Sequence, residues 1–192
     1  NGGEAAWQGA VLSGLAGGLR NRKPSPLTEN DQQLLVKTFF DHPSGDVRKA
    51  SLQLLKNTGI NNEALAISSI KKAAAIAGDR TQTNEKRSEA INFIALRNPT
   101  PYIDLLKKII VPQEHPTVQL AALSTLNAVP DMTVNKYVLQ EWTMLTPGIR
   151  DAALATFMSN TQRMALLLDA VESGKIQASS LGWSRTSSLM GQ

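Results

Sequence analysis

The sequence predicts an all-α fold, an α-α superhelix of about ten helices arranged as repeated helical pairs. Three observations predict it. The 192 residues contain 42% hydrophobic but only 5% aromatic residues, and a composition dominated by Ala and Leu favours helices over strands. One apolar pattern recurs along the chain, and capping residues and prolines mark short breaks between the periodic segments.

The recurring pattern spans nine residues, with an apolar residue at its sixth and ninth positions and small residues near its middle. The five segments that share it begin at Trp7, Val47, Lys86, Val118 and Ile149. Their sixth positions are Leu12, Leu52, Ile91, Leu123 and Leu154, so the successive steps are 40, 39, 32 and 31 residues. Such positions form one apolar stripe on a helix, and each step accommodates two helices and two turns. We therefore expect patterned helices near 5–19, 45–57, 85–97, 117–129 and 148–159.

Start signals for the intervening helices lie between the patterned segments. A side chain that accepts a hydrogen bond from a first-turn amide, followed by Pro or an acidic residue, is typical of a helix N-terminus. Candidate starts are Thr28, Thr100, Asp131 and either Asn160 or Thr161. Turns before three patterned helices are marked by a proline that follows His42, His115 and Thr146. We predict paired helices through residues 1–173 and assign residues 174–192 to a C-terminal tail or linker.

The patterned segments resemble the second helix of HEAT repeats, the ARM-like family of α-solenoids. The resemblance is carried by Asp46-Val47-Arg48 followed by Ala50 and Leu52, and by Ile149-Arg150 followed by Ala152, Ala153 and Leu154. In that family the residue after the first apolar position commonly joins a ladder of hydrogen bonds or ion pairs between stacked repeats. The resemblance therefore implies an inter-repeat ladder formed by Gln8, Arg48, Arg87, Gln119 and Arg150.

A second resemblance concerns the end of the chain. The stretch 169–176, followed by a polar segment that contains Leu181, Arg185 and Leu189, is similar to the linker region of large bacterial envelope proteins. Those proteins join a propeller-type dehydrogenase-like domain, a HEAT region and a C-terminal cytochrome c domain. This resemblance implies a piece of a larger multidomain protein of the periplasm or cell envelope. Without it, the sequence leaves the compartment open.

Residues that carry catalytic chemistry are scarce. The chain has no cysteine, which excludes disulfides, thiolate metal sites and cysteine nucleophiles. Its two histidines, His42 and His115, each precede a proline at a predicted turn, where capping or packing is the expected role. No phosphate-binding glycine motif is present, and no apolar run reaches the roughly 18 residues of a membrane span. We expect a protein that is not an enzyme and has no cofactor, metal or membrane span.

The candidate contact surface consists of the non-core positions on the patterned helices. These helices line the concave side of a HEAT solenoid, so the resemblance implies a concave face formed by Lys49, Gln53, Lys56, Ser88, Asn92, Ser124, Asn127 and Asp151. Extended surfaces of this kind bind peptides or domains through many small contacts. We expect a non-catalytic scaffold or spacer that binds a partner protein or neighbouring domains of the same chain. The oligomeric state stays open.

A nucleic-acid-binding repeat protein with a basic face is the alternative. The net charge is +4, and phosphates are candidate ligands for Lys49, Lys56, Lys71, Lys72, Arg87, Lys107 and Lys108. These cations are expected on both faces of the stack, and aromatic residues that stack on bases are few. Nucleic acid is therefore the less favoured partner.

Tryptophan side chains are candidate partner contacts, because tryptophan is enriched at interface hot spots. Trp7 occupies the first position of the pattern and is predicted to be buried, as is Trp142. Trp183, between Gly182 and Ser184, is the best of the three for docking a neighbouring domain, although packing on the last repeat is an equal alternative.

Overall fold

The computed structural model describes residues 2–19 and 27–190, and within these ranges the protein is all-α with no β-strand. This confirms the predicted class. The described residues form eleven α-helices: α1 (Gly2–Leu19), α2 (Glu29–Asp41), α3 (Gly45–Thr58), α4 (Glu63–Gly78), α5 (Asn84–Ile94), α6 (Ile103–Ile109), α7 (Pro116–Asn127), α8 (Met132–Gln140), α9 (Pro147–Phe157), α10 (Thr161–Glu172) and α11 (Trp183–Met190). Short 3-10 turns lie at Thr100–Tyr102, Trp142–Met144 and Ala178–Leu181.

The five patterned helices are α1, α3, α5, α7 and α9, close to their predicted ranges. The bounds differ by three residues at two places: α1 begins at Gly2 rather than near residue 5, and α5 stops at Ile94 rather than near residue 97. Two prolines follow, Pro99 and Pro101, and the position before a proline disfavours the helical conformation. The chain therefore leaves the helix before it reaches them.

Side-chain caps begin several helices where the sequence places them. The side chains of Thr28, Asp131 and Asn160 each accept a hydrogen bond from a backbone amide in the first turn of α2, α8 and α10. These three predicted starts are confirmed. The signal at Thr100 opens a 3-10 turn, and α6 follows it at Ile103.

Residues 1–98 form one compact unit. A three-residue connection joins α2 to α3 and a five-residue connection joins α4 to α5, and both pairs pack together as αα-hairpins. Among the patterned helices, α1 packs against α3 and α3 packs against α5. The rings of Phe39 and Phe93 stack with centroids 4.7 Å apart, which fixes α2 and α5 around a common apolar core.

Residues 99–192 form the second compact unit. In this unit α7 packs against α6, α8 and α9, and α10 packs against α8 and α9. Leu126, Ile149 and Phe157 are fully buried. The segment 174–192 contains the last 3-10 turn and α11, and Ile176 and Leu181 within it are buried.

Positions one, five and nine of the pattern are buried in α3, α7 and α9, but in α1 they form an exposed apolar stripe of Trp7, Val11 and Leu15. In α3 these positions are Val47, Ser51 and Leu55. The corresponding Trp7 in α1 is 67% exposed, so the prediction that it is buried was wrong. Because α1 packs on α3 through its opposite side, where Ala16 is buried, its stripe faces solvent.

The other two tryptophans also have defined surroundings. Trp142 is 4% exposed, which confirms its predicted burial, whereas Trp183 is 80% exposed. Within the described part of the chain, no helix combines the length and the hydropathy needed to cross a bilayer.

Candidate protein-binding surface

Arginines at the second position of the pattern are buried in the first unit and bind backbone carbonyls. Arg48 donates through Nη1 to the carbonyls of His42, at 3.1 Å, and Pro43, at 2.9 Å. Arg87 donates through Nε to the carbonyl of Ala77 at 3.0 Å. Each acceptor lies at the end of the preceding helix or in the connection that follows it. Helix ends leave carbonyls without helical partners. By donating to these carbonyls, each arginine holds the preceding connection against its own helix.

In the second unit, the residues at the second position of the pattern also donate hydrogen bonds to backbone carbonyls that precede their helix. Gln119 donates through Nε2 to the carbonyls of Val111 and Glu114. Arg150 donates to the carbonyls of Trp142, at 2.9 Å, and Thr143, at 2.8 Å. The repeated geometry explains why this position carries a long donor side chain in α3, α5, α7 and α9.

Three second-position residues also reach the next helical pair. Gln8 Oε1 lies 3.2 Å from His42 Nε2 in the turn before α3. Arg48 Nε donates to Glu89 Oε2 on α5 at 2.7 Å, and Gln119 Oε1 accepts from Thr146 Oγ1 ahead of α9 at 3.2 Å. These contacts join successive patterned helices within each unit.

The Arg48–Glu89 ion pair is buried, with both side chains about 5% exposed. Burial raises the pKa of Glu89, and the hydrogen bond and charge of Arg48 oppose that rise. At the nearby surface, Lys49 Nζ lies 2.9 Å from Glu85 Oε1. This hydrogen bond lowers the pKa of Glu85 and raises that of Lys49, so both groups hold their charges.

A groove of about 650 Å³ runs between α1 and α3. Small residues of α1 form one wall, and two predicted contact residues, Lys49 and Gln53, belong to the other. Gln53 Nε2 donates to Asn57 Oδ1 at 3.1 Å, and Asn57 Nδ2 donates to the carbonyl of Ala16 at 2.9 Å. This chain of hydrogen bonds joins the groove wall on α3 to the end of α1.

The other predicted contact residues are distributed over both units. Ser88 donates to the Glu85 carbonyl of its own helix. Asn127 Nδ2 donates to Thr156 Oγ1 at 2.8 Å, between α7 and α9, and Asp151 lies 2.6 Å from Arg185 Nη2 of α11. The remaining members are exposed: Lys56, Asn92 and Ser124. The structure thus brings Lys49 and Gln53 together at one groove.

Sequence reasoning missed the α1 wall of this groove. The wall residues are Ala6, Gly9, Ala10, Ser13, Ala16 and Gly17. Small residues three or four apart share one face of a helix, and this spacing is the signal that was present. Part of this small-residue face stays open as the wall of the groove.

Several cations of the predicted basic face are already engaged. Lys72 Nζ lies 3.4 Å from Asp41 Oδ1 and 4.4 Å from the centroid of the Phe40 ring. Lys49 is paired with Glu85, and Arg87 is buried. These contacts reduce the positive charge that the first unit offers to phosphates.

Both histidines act in turns, which confirms their predicted role. The Nδ1 of His42 accepts a hydrogen bond from the Ser44 amide at 3.1 Å, and the Nδ1 of His115 accepts one from the Thr117 amide at 3.4 Å. Among residues 2–19 and 27–190, no three histidine or carboxylate side chains converge in a way that fits a metal ion.

Comparisons of the chain with protein-family models, with curated proteins and with solved structures find no match. The resemblance to HEAT repeats therefore stays a prediction based on the patterned helices.

Proposed function

We propose that the protein is a non-catalytic scaffold or spacer built from HEAT-like helical pairs, which binds a partner protein or neighbouring domains of the same polypeptide. The observation that carries this proposal is the groove between α1 and α3. It combines a glycine- and alanine-rich wall, which lets a ligand backbone approach closely, with the polar side chains Lys49 and Gln53 on the opposite wall.

A rigid frame around this groove also supports a scaffold. Arg48 joins its own turn to Glu89 of the next hairpin, and Asn57 binds the end of α1. A surface held by such contacts loses little conformational entropy on binding. The pairing of Lys49 and Lys72 with carboxylates favours a protein partner over nucleic acid.

The proposal is tested by filling the groove in the intact gene product. Ala10 is exposed and lines the groove, so Ala10→Trp occupies space that a ligand needs without changing the core. Amine-reactive crosslinking followed by mass spectrometry then reports which segments lie near Lys49. We expect wild-type crosslinks from Lys49 to protein outside residues 1–192, and we expect Ala10→Trp to abolish them.

Ala155→Trp is the matched control, because Ala155 is an exposed alanine on α9, outside the groove. It should leave the Lys49 crosslinks unchanged. The proposal fails if Lys49 forms no crosslink to protein beyond this chain, or if the Ala10 and Ala155 variants give the same crosslinks as the wild type.

A further inference from the structure

The outer face of α1 is a continuous apolar stripe. Trp7, Val11 and Leu15 lie four residues apart, which places them on one side of the helix, and they are 67%, 41% and 55% exposed. Gly14 and Gly18 fall on the same side, and a side chain built at either would touch nothing within 4 Å. Since α1 also packs on α3 through its other side, it is apolar around most of its circumference. A helix of that kind is usually covered on both sides.

The repeat itself identifies what covers such a stripe. Trp7, Val11 and Leu15 occupy positions one, five and nine of the pattern. In α7 these positions are Val118, Ala122 and Leu126, and all three are fully buried. In α3 they are buried as well, and α3 and α7 each pack against the helix that precedes them, α2 and α6 respectively. Neighbouring helices thus cover this face in α3 and α7, whereas the equivalent face of α1 is exposed among the described residues.

We infer that the face formed by Trp7, Val11 and Leu15 is the docking site for an amphipathic helix from a neighbouring domain of the same polypeptide. This inference rests on the proposed scaffold function and names the contact that joins the scaffold to its neighbour. The expected ligand resembles α2, a helix of 13 residues whose buried face includes Val36 and Phe39. Its contact side is uncharged, because the stripe has no charged side chain between Trp7 and Leu15.

The stripe is continuous with an interface that already exists. A groove of about 280 Å³ beside it is lined by Trp7, Val11 and Leu12 of α1, by Thr38 and His42 at α2, and by Val47 of α3. An apolar side chain from a helix on the stripe would enter this groove next to α2. The docked helix would then extend the layer that contains α2.

The size of the stripe favours a tethered helix over a second copy of the chain. A helix of 18 residues is about 27 Å long and about 10 Å wide, so one face offers on the order of 300 Å². A stable interface between separate proteins needs about 800 Å² from each partner. Covalent linkage raises the effective concentration of the docking segment, which makes a small interface sufficient within one polypeptide.

Photocrosslinking of the intact gene product tests this inference. Benzoylphenylalanine is placed at position 11, and the crosslinked peptides are identified by mass spectrometry. The expected product is an intramolecular crosslink to a segment outside residues 1–192 with apolar residues three and four apart. Trp7→Ser in the same protein should strongly reduce its yield while leaving the thermal stability of the isolated chain unchanged. The same photoreactive residue at position 67 is the control, because Ile67 is exposed on α4 outside the stripe.

Other crosslinking outcomes overturn the inference. A crosslink to a second copy, to a separate protein or to lipid would show that a different molecule occupies the stripe. The absence of any crosslink specific to position 11 would show that nothing covers the stripe. These results leave the scaffold proposal intact as long as Lys49 still forms crosslinks that Ala10→Trp abolishes. Loss of both signals removes the two proposals together.

Discussion

Breaking the buried ion pair between Arg48 and Glu89 should destabilise the first unit strongly. Arg48→Met keeps most of the side-chain volume but leaves the Glu89 carboxylate buried without its partner at 2.7 Å. Removing one member of a buried ion pair costs about 3–5 kcal/mol. The carbonyls of His42 and Pro43 lie at a partly exposed turn and bind water instead, so they add little to the loss.

The double variant Arg48→Met/Glu89→Met separates the contribution of the ion pair from the contribution of side-chain packing. Replacing both members with apolar side chains leaves no uncompensated charge, so its loss should be less than about 2 kcal/mol. Urea unfolding followed by far-ultraviolet circular dichroism gives the free energies for a double-mutant cycle. Lys72→Met is the control, because the Lys72–Asp41 pair is exposed and such pairs contribute about 1 kcal/mol or less. Additive losses in the Arg48–Glu89 cycle, or a single-variant loss as small as the control's, would refute the reasoning.

Three further predictions concern the core, the turns and the pH dependence. Leu123 is 2% exposed, whereas Leu52 is half-buried. In urea unfolding, Leu123→Ala should lower the free energy of unfolding by about 2–5 kcal/mol and Leu52→Ala by distinctly less. Equal losses for the two variants would contradict this difference in burial. Arg150→Ala removes the donor to the Trp142 carbonyl and should lower stability by about 1–3 kcal/mol, with unchanged unfolding as the contrary result. Burial raises the pKa of Glu89, so the folded protein binds the proton of this carboxyl more tightly than the unfolded chain does. The free energy of unfolding should therefore fall as the pH rises from about 4.3, the ordinary glutamate pKa, through the raised pKa of the folded state. The Glu89→Gln variant should lose this fall, and a wild-type pH profile that matches the variant's would contradict it.

Helix positions were predictable from the sequence because they depend on local chemistry. Apolar periodicity located α3, α7 and α9, and capping residues such as Thr28 and Asp131 located the starts of the helices between them. These signals lie within the segments that they describe, so no knowledge of the packing was needed.

The exposed stripe and the groove depended on packing between helices and were not predictable in the same way. Trp7 has the same pattern position as Val47, but only Val47 is buried, because α3 lies between helices that pack against it, among them α1 and α2. The sequence likewise indicated a long donor at Arg150, whereas its target, the Trp142 carbonyl, follows from the path of the turn. Local pattern thus predicts which side chains line a face, and the neighbouring helices decide whether it is covered.

The central claim is that the apolar stripe of α1, formed by Trp7, Val11 and Leu15, is a surface on which another part of the protein docks. Hydroxyl-radical footprinting of Trp7 and Leu15, in the isolated 192-residue chain and in the intact gene product, tests it most directly. Trp142, which is buried within the second unit, serves as the reference for a protected side chain. The account predicts that Trp7 and Leu15 are oxidised readily in the isolated chain and fall towards the level of Trp142 in the intact protein. Equal oxidation of Trp7 and Leu15 in the two samples would contradict it.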